Sequence, residues 1–227
     1  MRIEVHSIAD PRHACRPATD HAPGYNDHPS ATTSVSYSMS QTISSAEVIA
    51  RTQLWLDRVV IGLNLCPFAK SVRVKDQIRF TVSTATKPEA LAADLVRELE
   101  LLRDADPEQL DTTLLIHPDT LTDFLDFNDF LSVADRIVQQ LGLEGEIQIA
   151  SFHPDYQFAG TEPDDPGNYT NRAPFPSLHL LREQSIERAV NAIPDAADIF
   201  EKNIETMHRL GHAEWLALMQ FSPPRQS

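Results

Sequence analysis

Cys66 opens the stretch Cys66-Pro67-Phe68-Ala69. A thiol at the start of a helix becomes a nucleophile or a metal ligand once it is deprotonated. Position 69 is alanine, not a second cysteine, so this motif cannot run a dithiol–disulfide cycle. A base has to come from elsewhere. Two near-identical tetrapeptides offer one: Ile116-His117-Pro118-Asp119 and Phe152-His153-Pro154-Asp155. Each ends a short apolar run that reads as a strand. If those strands are parallel, both His-Pro-Asp units lie on one edge of the sheet, where ligands collect. The sharpest reading makes Cys66 the nucleophile, His153 the acid or base, Asp155 its orienter and His117 a substrate-side neighbour. The plain reading makes Pro and Asp ordinary turn residues, with each histidine bonding its own loop and Cys66 buried at a helix end.

Residues 151–176 show no periodicity and mix prolines and aromatics with hydrogen-bonding side chains. Long irregular loops inside compact domains often carry function. Asn168, Tyr169 and Asn171 are candidate ligand contacts. Arg172 is the best candidate for an anion, because its planar fork matches carboxylate or phosphate. An ion pair with Asp155, Asp164 or Asp165 is the competing use. His179 and Arg182 stand three residues apart on an expected helix and would share its face. The alternative for the loop is a rigid packed cap over the core.

The elements that must position these groups follow from the pattern of apolar residues. A helix is expected from Ser44 or Ser45, stopping before Pro67. Residues 77–83 alternate apolar and polar, as a strand does. Residues 88–103 place Leu91, Leu95, Leu99 and Leu102 on one helical face. Thr112 to Ile116 reads as a buried strand, 118–141 as a helix closed by Gly142, and Glu146 to Ala150 as another strand. Ser177 would cap a helix over 178–192, and Asp195 one over 196–210 that Gly211 ends. The expected fold is α/β: a small, mostly parallel sheet of three or more strands flanked by helices, with further strands sought in 64–80 or 151–176. It would occupy residues 44–215, between a disordered leader (1–43) and a frayed tail (216–227).

The leader is rich in His, Pro, Ser and Thr, and holds His6, His13, His21, His28 and Cys15. It reads as disordered, with a metal-binding tail as the other possibility and Met39 as an alternative start. Two cysteines make no disulfide framework, which suits a cytoplasmic protein. The formal charge of −14 and the lack of a Lys/Arg cluster argue against nucleic acid and anionic membrane partners. No apolar run is long enough to span a bilayer. Phosphate-binding glycine loops and the G-x-S-x-G elbow are absent. Cys66, His117 and His153 lack the close ligand pairs of a zinc site, so no metal is assigned.

Several longer stretches carry a resemblance. They are Gly62 to Ala69, Leu121 to Phe130, Ala150 to Gly160, Asn168 to Pro174, and His179 to Glu183. Together they resemble the domain-of-unknown-function family 1415, found mainly in bacteria, over roughly residues 45–212. The resemblance implies that the Cys-Pro-Phe-Ala and His-Pro-Asp-Tyr segments belong together. It implies no reaction, ligand or cofactor.

The sequence therefore leaves three readings. The first is an enzyme or small-molecule binder whose pocket joins Cys66, the two His-Pro-Asp ends and the 151–176 loop. Thiol-dependent hydrolysis or transfer on a small anionic substrate would suit it. The second is a protein-interaction module that exposes the aromatic 152–176 loop and Trp55. The third is a metal-binding protein.

Overall fold

The computed structural model describes residues 43–191 and 199–220. The expected leader and its histidines, Cys15, Met39, the Asp195 cap and the end of the tail lie outside these residues.

Helix α1 (Ser45–Trp55) starts where Ser44 accepts the N–H of Glu47 at 3.2 Å, and runs straight into a π-helical turn, Leu56–Ile61. A short helix α2 (Ala69–Val74) follows Pro67. Then come β1 (Ile78–Val82), α3 (Pro88–Asp104), β2 (Thr112–Ile116), α4 (Phe124–Gln140) and β3 (Ile147–Phe152). The loop after β3 contains a 3-10 turn, Pro166–Asn171. It leads to β4 (Ser177–Arg182), α5 (Glu183–Asn191) and α6 (Ile199–Met219).

The protein is α/β, with helices flanking a four-stranded sheet of order β1-β2-β4-β3. As expected, β1, β2 and β3 share one direction. The expectation of a mostly parallel sheet needs correction, because β4 runs antiparallel between β2 and β3. Only β1–β2 is a parallel pair. The helix expected over 178–192 is thus a strand followed by a shorter helix. The physical reason is the alternation in Leu178-His179-Leu180. Both leucines are fully buried against α3 and α4, which helical geometry would not allow together with His179 on the opposite face.

On one face of the sheet, Leu91, Leu95, Leu99 and Leu102 of α3 and Phe127, Leu131 and Ala134 of α4 pack on Leu115, Leu178 and Leu180. On the other face, Trp55, Val59 and Leu65 join Ala150, Phe152, Met207 and Trp215 in a second core. Helix α4 begins later than expected. Asp123 caps it by accepting the N–H groups of Leu125 and Asp126, and the chain before it turns at Pro118 and Asp119, where the Thr120 N–H bonds the His117 carbonyl. Gly211 has φ +73, which ends one helical segment of α6 as expected, but the chain resumes a helix to Met219. No helix among the described residues is long and apolar enough to cross a membrane.

The strand geometry predicts unequal costs for adjacent leucines. Leu180→Ala should cost roughly 2–5 kcal/mol of stability, and Leu181→Ala, which faces the less densely packed side, clearly less. Denaturant melts of the two variants check this. Equal losses would contradict the strand.

Candidate functional site

Alternation along β4 sends His179 away from Leu178 and Leu180, onto the face covered by α1, α2 and α5. There its ring is held by Thr112 across the β2–β4 pair. The Thr112 hydroxyl donates to the carbonyl of Leu180 at 2.6 Å. A hydroxyl has one proton, so the 2.7 Å contact from Thr112 Oγ1 to His179 Nε2 must be donated by the ring. His179 therefore carries its proton on Nε2. Its Nδ1 is a bare lone pair with no hydrogen-bond partner among the described residues. Surrounding protein atoms desolvate the ring and push its pKa down to about 4, so it is neutral near pH 7.

His179 lines a cavity of about 520 Å³ on this face. Leu114, Ala150, Phe152 and Leu181 of the sheet form its floor. Trp55, Leu56 and Val60 of α1 and the π turn form one wall, and Cys66, Pro67 and Phe68 another. Ile186 and Ala189 of α5 close over it, and Lys75, Glu108 and Arg188 stand on its boundary. The π turn contributes through its extra residue per turn, which places Leu56 and Val60 on the cavity side. Gly62, just after it, is required, since a Cβ there would stand 2.2 Å from the Arg58 carbonyl oxygen.

Cys66 faces this cavity as a free thiol. Burial pushes its pKa up, and the backbone N–H groups of Ala69 and Phe68 offset only part of that. These N–H groups, at the start of α2, are not expected where the sequence reads as a helix end; desolvation outweighs them and the thiol stays protonated.

The structure does not bring Cys66 to His153 or Asp155. Both His-Pro-Asp units do follow strands that share a direction, at one edge of the sheet, as expected. Their histidines lie on the α3–α4 face, on either side of Phe127, whose ring centroid is 5.7 Å from His117 and 5.1 Å from His153. Cys66 is on the opposite face. The expected single pocket joining Cys66, the two strand ends and the loop is corrected accordingly. His153 Nδ1 accepts the backbone N–H of Asp155 at 3.0 Å, and its Nε2 donates to the Leu121 carbonyl at 3.3 Å. The Asp155 carboxylate is not what orients the ring. His117 Nδ1 donates to the Thr120 carbonyl at 2.8 Å, leaving a buried Nε2 lone pair without a partner among the described residues. Burial, with the nearby His153 adding to it, lowers the pKa of His117 to about 4, and burial lowers that of His153 as well.

The 151–176 loop spends its polar groups on itself. Asn168 Oδ1 accepts from the Phe158 N–H and the Thr161 hydroxyl, and its Nδ2 donates to the Glu162 carbonyl. Asn171 donates to the Ser151 carbonyl. Arg172 donates to the carbonyls of Tyr156 (3.1 Å) and Pro163 (2.7 Å), and its guanidinium lies 5.0 Å from the Tyr169 ring centre. Tyr169 is buried, stacks on Trp215 and bonds Nδ1 of His212 at 2.6 Å. The expected aromatic patch is therefore not exposed at Tyr169 or Trp55. Arg182 points to the α3 side and donates to the carbonyls of Leu102, Ala105 and Leu110. It does not share a face with His179, because the two stand three residues apart on a strand. Among the described residues no three His, Cys, Asp or Glu side chains stand close enough to hold a metal ion. Thr112, which orients the His179 ring, is the site residue that sequence reasoning missed. Only its pairing with β4 reveals it.

The fold and cavity define an α/β domain built on a mixed four-stranded sheet with an apolar, histidine-bearing pocket on one face. By its sequence the chain belongs to the family described as "Protein of unknown function (DUF1415)", whose model matches residues 47–217. Neither the comparison with curated proteins nor that with solved structures returned a match.

The buried histidines make stability depend on pH in a defined direction. In the unfolded chain they take up protons below about pH 6.5. In the folded protein His117 and His179 do so only near pH 4. Their contribution is complete above pH 6.5 and is lost as pH falls toward 4, at up to about 1.4 kcal/mol per pH unit for each ring. Thermal melts from pH 7 to pH 4.5 should show Tm falling through this window, and falling less steeply in His117→Phe. A Tm that stays level from pH 7 to pH 4.5 would contradict the burial of neutral rings.

Proposed function

We propose that this protein binds a small molecule in the cavity over β4. The observation that carries the reading is a mainly apolar pocket with a few polar groups placed in it, the oriented ring of His179 among them. About 520 Å³ falls in the range of small-molecule sites, which are mostly apolar with a few placed polar atoms. Nδ1 of His179 is such an atom. Its tautomer is set by Thr112, and Thr112 in turn by the Leu180 carbonyl.

Within this reading Cys66 is a wall of the site, not a preformed thiolate. Thiol-dependent hydrolysis or transfer finds little support, because burial raises the thiol pKa and His153 lies across the sheet. Arg172 as an anion clamp also finds little support, since two of its donor groups hold loop carbonyls. The unpaired Cys66 fits a reducing compartment, in keeping with a cytoplasmic protein.

Titration of the full chain with the neutral fluorescent probe N-phenyl-1-naphthylamine tests the reading. The expected result is a saturable site of about one equivalent that is lost in Ala189→Trp, which fills the pocket from α5, while the circular dichroism spectrum and Tm are retained. Leu181→Trp fills the same space from the sheet and should act alike. Undiminished binding in both folded variants would overturn the proposal.

A further inference from the structure

We propose that the cavity takes a neutral, mainly apolar small molecule whose hydroxyl or N–H group donates to Nδ1 of His179. This rests on the cavity being a ligand site and names the chemistry of the occupant. Three features of the site lead there. The walls contributed by Trp55, Leu56, Val60, Leu114 and Phe152 offer no hydrogen-bond acceptor, and they would strip water from whatever binds. Polar side chains such as Gln148 and Asn203 also line the cavity, but the acceptor whose orientation the sheet itself fixes is the bare ring nitrogen of His179. It cannot become a donor without breaking the Nε2–H bond to Thr112, whose own proton is committed to the Leu180 carbonyl. A ligand that brings only acceptors, an ether or a ketone, would set lone pair against lone pair at that nitrogen, among mainly apolar walls. A ligand with a hydroxyl or N–H satisfies both partners.

Charge agrees with this choice. The two arginines nearest the pocket are engaged: Arg182 holds carbonyls of α3 and the loop after it, and Arg188 donates to Ser185, which itself donates to Asp111. Lys75 and Arg188 on the lining are matched by Glu108 and Asp111, so charge singles out neither an anionic nor a cationic ligand.

Equilibrium dialysis of the full chain against 2-naphthol and 2-methoxynaphthalene tests the inference at pH 7. The two probes share an apolar body. One ends in a donor and the other in an acceptor alone. The native protein should bind 2-naphthol roughly tenfold more tightly, the usual worth of one buried hydrogen bond. His179→Phe should bind both about equally. Thr112→Val releases the ring to change tautomer and should narrow the preference; it serves if the first variant does not fold. Equal binding of the two probes by the native protein overturns the inference but leaves the cavity as a ligand site. If neither probe binds, both the inference and the cavity as a ligand site are overturned. A preference that survives in folded His179→Phe overturns the inference.

Discussion

The antiparallel insertion of β4 between β2 and β3 is the constraint on which both faces of the molecule depend. A strand with neighbours on each side has all its backbone groups in the ladder, and its side chains alternate strictly between faces. Leu178 and Leu180 are thereby committed to the core under α3 and α4, and His179 to the opposite face. A slip of one residue would bury His179 among leucines and expel two leucines from the core. The cost of that exchange fixes the register. The register then places His179 beside Thr112, so the orientation of the ring follows from packing on the far side of the sheet.

Burial governs the chemistry of the titratable groups in the same direction throughout. Three histidines and one cysteine are taken out of water, and each is driven toward its neutral form. His117 and His153 flank Phe127 and satisfy loop carbonyls and an N–H, so they close the turns after β2 and β3. His179 differs in lining a cavity. The same desolvation that keeps the first two rings structural leaves the third as a neutral acceptor within a pocket.

Much of this was legible in the sequence, for identifiable reasons. Thr112 to Ile116 is uniformly apolar or β-branched because β2 is buried on both faces, and that composition marks a strand unaided. The leucines of α3 recur at helical spacing because a single face meets the sheet. The shared edge of the two His-Pro-Asp units followed from a common strand direction. Residues 177–182 were misread because the cavity floor is itself apolar. Leu181 faces it and breaks the polar–apolar alternation, so the segment merges with the helix-forming residues of α5. The site was misplaced for a related reason. Arg172, Asn168 and Asn171 have the composition of a binding loop, but a rigid loop needs the same side chains to satisfy its own backbone. Only the bonding pattern separates the two uses.

The central claim is that His179 stands in the pocket as a neutral ring with its proton on Nε2. Long-range proton–nitrogen correlation spectra of the full chain, with the His179 signals assigned by their loss in His179→Phe, test it directly. The account predicts a single Nε2–H tautomer with a bare Nδ1 at pH 7, still neutral at pH 5.5. A proton on Nδ1, or an imidazolium at pH 6, would contradict it.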